Sequence, residues 1–190
     1  MVFSYYQRLS AKRKRTYRKS DEIRLTLPAE VEAADLIKQL ERALKVERRL
    51  EIQLICQALI DRLTGAFKVP NLNVVVLAVR PNNSGGELHG FYEPMEDGRL
   101  ARISIWMRTV QRKQVVAFKT FLRTLIHELC HHLDYELFQL AETFHTEGFY
   151  RRESSLVYAL LGQTAALKPR AENPAQRHSA IETLQSLRQK

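Results

Sequence analysis

Apolar residues recur along most of this chain at spacings that separate helix from strand. From Pro28 to about Leu63 the period is helical: Val31, Leu36, Ile37, Leu40, Leu44, Leu50, Leu54, Ile55, Leu59 and Leu63 mostly stand a helical turn apart. This predicts one long helix, with room for a single break, starting at Thr26 or Pro28 and stopping at Gly65. Cys56 falls in its core stripe as a small hydrophobe. Residues 72–79, LNVVVLAV, are a β-branched run bounded by Asn71 and RPNNSGG, which predicts a buried strand and then a loop. ELHGFYEP and RLARISIWMRT follow, joined by MEDG, and Asp97-Gly98 is a hairpin signal. In the second run Ile103, Ile105 and Met107 alternate with Arg102, Ser104 and Trp106. One covered face and one open face are expected there, with either an edge on which an extended peptide could pair or, alternatively, a covered strand.

Residues 115 to about 139 predict a second strong helix, with Val116, Leu122, Leu125, Ile126, Leu129 and Leu133 as its stripe. A loop comes next, then a helix over ESSLVYALLGQTAAL. KPRAENP reads as a linker, and AIETLQSLRQK as one short amphipathic helix. Helix, three strands, motif helix, loop and helix make a single small α+β domain, with the sheet laid against the first and motif helices. The expected organisation is a basic flexible arm over 1–22, the domain over 23–168, and the linker and terminal helix over 169–190.

Charge changes the picture at the N-terminus. The formal net charge of +9 is large for 190 residues, and such a surplus favours an acidic partner. Arg8, Lys12, Arg13, Lys14, Arg15, Arg18 and Lys19 stand close together with no acid among them. Like charges this dense predict a mobile arm suited to nucleic acid. Its Tyr5, Tyr6 and Tyr17 could stack on bases. Two cysteines argue against a disulfide framework and for a reducing compartment. No apolar run precedes the first charges, and none is long enough to span a bilayer, so the expectation is a cytoplasmic protein.

The candidate chemistry lies in TLIHELCHHLDYE, residues 124–136. His127, Glu128 and His131 match H-E-x-x-H, and side chains four apart on a helix share one face. Both imidazoles can therefore reach one ion, with Glu128 beside them to take a proton from water. A catalytic zinc needs a third protein ligand and an open position. The metzincin spacing is excluded, because Asp134 and Leu137 stand where its Gly and His belong. The remaining candidates are His145, Glu142, Glu147 and Glu153. The helix carries the chain roughly 10 Å beyond His131, and the next seven residues reach up to roughly 23 Å. His145 can thus return to the metal and is the first choice; Glu153 is the alternative. Asp134, one turn after His131, could orient a ligand imidazole from behind. Tyr150, Arg151 and Arg152 are candidates to stabilise an oxyanion. Cys130 and His132 point elsewhere on the helix.

HELCHHLDYE followed by FHTEGFYRRESS resembles the SprT-like zinc metallopeptidases. In that family an H-E-x-x-H helix is followed, after a short loop, by a third His in an H-G-x-x-F-type segment. His145 and Phe149 keep that offset, while Gly148 stands next to the Phe. The resemblance covers about residues 30–165 and implies a zincin-like fold and zinc-dependent peptide hydrolysis. In well-studied relatives it also implies DNA-bound proteins as substrates. The four-cysteine ribbon of many relatives has no counterpart here, since Cys56 and Cys130 are the only cysteines. DNA targeting would fall to the basic arm.

The expected function is zinc-dependent peptide hydrolysis, with Zn2+ on His127, His131 and His145 and Glu128 as base. The rival is a DNA- or protein-binding module that keeps zinc only to pin the loop.

Overall fold

The structure, a computed structural model, describes residues 3–79, 89–96, 98–109 and 113–166. In chain order these form a 3-10 helix at Ser4–Arg8, helices α1 (Ala11–Glu22), α2 (Ala34–Lys45) and α3 (Arg49–Phe67), and strands β1 (Asn73–Val79), β2 (Gly90–Glu93) and β3 (Arg102–Arg108). Helices α4 (Phe118–Glu136) and α5 (Glu147–Ala166) follow. The architecture is α+β, with a small mixed sheet backed by helices. The expected loop at 80–86, linker at 168–174 and terminal helix at 180–190 lie outside the described residues. No described helix is long and apolar enough to cross a membrane.

The stretch expected as a mobile arm is instead helix α1, capped by Ser10, whose hydroxyl accepts from the Arg13 N–H at 3.3 Å. The reason is an apolar contact that a charge count does not register. Tyr17 is buried together with Tyr6 and Phe144. Ring centroids are 4.9 Å apart for Tyr6–Tyr17 and 5.8 Å for Tyr17–Phe144. All three tyrosines expected to stack on bases are therefore packed on protein rings, Tyr6 and Tyr17 buried and Tyr5 partly so. Helix α1 lies against α5.

The long helix expected over 28–63 is two helices, broken at Val46–Arg48, where Glu47 adopts φ 58°. It also starts late. Residues 23–33 form no regular element apart from a turn, and Gln163 of α5 bonds Ala33 N (2.9 Å) and Val31 O (2.6 Å). At its far end α3 passes Gly65 and stops after Phe67. There Lys68 turns left-handed (φ 56°) and sends its N–H back to the Gly65 carbonyl.

The strand order is β1-β3-β2, with β1 parallel to β3 (Asn73↔Arg102 to Val79↔Arg108) and β2 antiparallel to it (Gly90↔Ile105 to Glu93↔Arg102). Gly98, at φ 76° beside the Glu96–Arg99 bridge, reverses the chain between β2 and β3. The expected open face and edge on the Ile103–Trp106 strand are both absent: β3 is central, and Ile103 to Met107 are all buried. Alternation reports side-chain polarity, not which strands flank a strand.

The two sheet edges differ. Along β1, α3 supplies side-chain partners: Gln57 and Gln53 accept the Val74 and Val76 N–H groups at 2.8 and 3.0 Å. Gln57 also donates to Leu72 O, and Arg49 to Val76 O, both at 2.9 Å. That edge is closed to further strands. Among the described residues no strand lies on the outer side of β2.

Helix α4 buries Phe121, Leu122, Leu125, Ile126, Leu129 and Leu133, a stripe that leaves the Thr124–His127–His131 face toward α5 and the following loop. The two helices are joined by a buried ion pair. Arg152 Nη2 lies 2.6 Å from Asp134 Oδ1, and both side chains are sealed from water. Arg152 also donates to the Ser20 carbonyl and hydroxyl, which ties α1 to the same pair. Removing one partner leaves the other charge buried and uncompensated. Arg152→Leu is therefore expected to lower the free energy of urea unfolding by about 3–5 kcal/mol; an unchanged unfolding midpoint would contradict the pair's role.

Candidate metal centre

His127 and His131 leave the same face of α4, with ring centroids 4.9 Å apart. After the helix the chain turns at Gln139 (φ 52°), and the Leu140 N–H bonds Asp134 O at 2.9 Å. It then runs back along α4. Phe144 points inward on one side of His145, and Thr146 on the other caps α5 by accepting the Phe149 N–H at 3.0 Å. Between these anchors His145 brings its Nε2 to 3.0 Å from His127 Nε2 and 3.1 Å from His131 Nε2. One ligand atom from each of the three imidazoles lies within 4.8 Å of the others, close enough to bind a metal ion. Among the described residues no carboxylate or thiol joins them.

The proton positions follow from the partners behind the rings. His127 Nδ1 faces Glu153 Oε2 at 2.8 Å, and a carboxylate only accepts, so that nitrogen carries the proton. His131 Nδ1 faces Thr143 Oγ1 at 2.7 Å, and the Thr143 hydroxyl gives its own proton to Asp134 Oδ2 at 2.8 Å. Both Nε2 atoms therefore turn lone pairs inward. A proton shared with His145 satisfies one contact at a time, whereas a central cation satisfies all three. Burial, reinforced by the neighbouring imidazoles, holds the His131 pKa down to about 3 and keeps that ring a neutral donor. Burial depresses His145 as well.

The structure redistributes the sequence candidates. Glu153 is not a ligand beside His145 but the brace behind His127. Helix α5 begins at Glu147 rather than Glu153, so Glu153 sits a turn and a half in, buried and facing α4, where it also receives Arg123. The missed signal was Thr146-Glu147, a capping residue followed by an acid. Asp134 reaches His131 only through Thr143. Glu142 pairs with Arg13, and Glu147 faces Arg151 at 3.6 Å. His132 donates from Nε2 to Pro70 O (2.7 Å) and accepts the Tyr92 hydroxyl at Nδ1 (3.1 Å). The Cys130 thiol is buried, and burial raises its pKa. Of the three oxyanion candidates, Arg152 is sealed in its ion pair and Arg151 pairs with Asp21 and Glu147. Only Tyr150 stays at the site, partly exposed and stacked 5.9 Å from the His145 ring.

Glu128 stands apart from the cluster and is buried beneath β2. A Cβ at Gly90 would come 2.5 Å from Glu128 Oε1, so glycine is what admits this carboxyl. An isolated glycine within a strand run is the one sequence sign of such a close approach. Burial pushes the Glu128 pKa up to about 7. His127 and a hydrogen bond from the Tyr92 backbone pull it back, while Glu153 adds to the rise. Beside the centre, a cavity of about 240 Å³ is lined by His89, Thr120, Arg123, Thr124, His127 and Glu153.

The basic residues form a separate surface. Arg13 pairs with Glu142, Lys19 bonds Phe138 O, and Lys14 and Arg18 lie over the Tyr6 ring. Arg8, Lys12 and Arg15 are exposed. None of the seven is a member of the histidine cluster.

No family model, curated protein or solved structure matches this chain.

If the three imidazoles share one ion, His145→Ala is expected to abolish stoichiometric metal, measured by elemental analysis after dialysis. Thr143→Val, which removes the acceptor behind His131, is expected to weaken metal binding about 10- to 100-fold. Thr143→Ser is expected to bind like the wild type. Equal affinity in Thr143→Val would show that the hydroxyl does not orient the ring.

Proposed function

We propose that this protein is a zinc-dependent peptidase with a zincin-like fold, and that Glu128 is its general base. The observation that carries this reading is three converging imidazoles that no fourth described side chain joins, with the Glu128 carboxyl buried on the same helix. A structural zinc site is usually closed by four protein ligands and has no use for such an acid. The donor set also suits zinc. At Zn–N bonds of about 2.0–2.1 Å, tetrahedral nitrogens stand about 3.3–3.4 Å apart, so spacings of 3.0 and 3.1 Å need to open only slightly. The resemblance to the SprT-like metallopeptidases supports the same reading.

Zinc held there supplies Lewis acidity, which polarises a carbonyl and makes water a nucleophile near neutral pH. The remaining work falls to the chain's own residues. Glu128 takes the proton that water releases on attacking the peptide carbonyl and passes it to the departing amine. Tyr150, on the outer side of His145, is placed to donate its hydroxyl to the developing oxyanion; burial raises its pKa and keeps that proton on. The substrate is an extended peptide. The outer edge of β2 takes it as an added strand, because the β1 edge is already occupied by α3 side chains.

The basic face of α1 makes nucleic acid a fitting partner, and proteins bound to it fitting substrates. That binding uses a helical surface rather than a free arm.

Glu128→Gln is expected to keep zinc and lose at least about 100-fold in kcat. Tyr150→Phe is expected to lower kcat with little change in KM, both read on a peptide library. Retained turnover in Glu128→Gln would refute its role. A wild type that holds zinc and cleaves nothing would favour the binding-module reading. Separately, DNA affinity is expected to fall steeply with salt. Charge reversal at Lys12 and Arg15 is expected to make that slope shallower by about one unit for each phosphate left without its cation.

A further inference from the structure

We propose that residues 3–22 are a clasp that builds the position of the third metal ligand. Two of the three ligands need no such help, because His127 and His131 are fixed by helix α4. His145 sits in the connection between α4 and α5, outside any regular element. The N-terminal element holds it at five successive points. Lys19 Nζ donates to Phe138 O at 3.1 Å, and Arg13 Nε to Glu142 Oε2 at 2.7 Å. Tyr6 and Tyr17 bury Phe144, the residue next to the ligand. The Tyr5 hydroxyl stands 3.5 Å from the His145 carbonyl oxygen, and Asp21 Oδ1 accepts the Gly148 N–H at 2.7 Å. The fit is tight at the last point, where a Cβ at Gly148 would come 2.3 Å from Asp21 O.

Phe144 belongs to this small aromatic cluster and not to the main core. When the clasp is released, Phe144 loses the rings that bury it. The third imidazole then spends part of its time away from the other two. Apparent metal affinity falls in proportion to the fraction of molecules in which the three are assembled. The N-terminal segment is thus a set of positioning residues that act through His145.

Electrostatics alone gives the opposite sign, which makes the idea testable. Replacing a cation near a divalent ion by an anion attracts that ion and tightens binding. Loss of the clasp weakens it.

The inference rests on the three-histidine metal site and not on peptide hydrolysis. The experiment uses the full chain and reads zinc dissociation by competition with a chromogenic chelator, beside the melting temperature of the apo-protein. Arg13→Glu is expected to weaken zinc binding about three- to tenfold, the scale of an exposed pair turned repulsive. Adding Glu142→Arg to it is expected to restore affinity to within about twofold of the wild type. Lys12→Glu and Arg15→Glu, on the same helix but not touching the loop, are expected to bind zinc as tightly as wild type or more tightly. Tyr17→Ala is expected to lose at least about tenfold, and Tyr17→Phe little, since the ring does the packing. Should Tyr17→Ala fail to fold, the exposed Arg13–Glu142 swap decides alone. Arg13→Glu binding as tightly as wild type, or a swap that restores nothing, overturns the clasp and leaves the metal site standing. A wild type that binds no zinc overturns both.

Discussion

Three imidazole Nε2 atoms converge, His145 at 3.0 Å from His127 and 3.1 Å from His131, and the surrounding structure is arranged to hold them there. The lone pairs of His127 and His131 both face His145, whose ring proton can satisfy only one of them at a time. The geometry persists because each ring is gripped from behind or beside. Glu153 grips His127, and Thr143 with Asp134 grips His131; the Phe144–Thr146 anchors fix the backbone of His145. The buried Arg152–Asp134 pair stands behind one of these grips, so a stability device of the fold also orients a metal ligand. A cation at the centre would satisfy all three nitrogens at once.

The same economy applies to the sheet. With only three strands it has two edges, and they are treated differently. Side chains of α3 satisfy the N–H groups of β1, while no described strand lies on the outer side of β2, which packs next to the motif helix. Gly90 on β2 leaves the room that the Glu128 carboxyl occupies. A single short strand thus sets where the Glu128 carboxyl lies on α4.

The N-terminal helix shows how a charge pattern can mislead. Seven cations with no intervening acid describe a segment that resists packing onto other cations, but a helix needs only one apolar face. Tyr17, on that face, and Tyr6 in the preceding turn are enough to seat it against Phe144. The cations then remain on the outer surface, two of them bonded to the loop that carries His145.

What the sequence determined by itself are the features set by local periodicity: the motif helix, the shared face of His127 and His131, the β-branched strand and the hairpin signal at Asp97-Gly98. These depend on residues a few positions apart, and backbone geometry alone relates them. The reach of the chain also allowed His145 to return, though reach permits a contact without choosing it over Glu153. Tertiary structure decided the rest, since each remaining feature joins residues far apart in the chain. Glu153 became a brace because α5 starts a turn and a half early. Ile103–Trp106 became a central strand because β1 pairs on its far side. Thr143 entered the site with no local signature at all. The break at Glu47 and the docking of α1 were settled by burial against distant partners, and a one-dimensional pattern carries no record of which surfaces will meet.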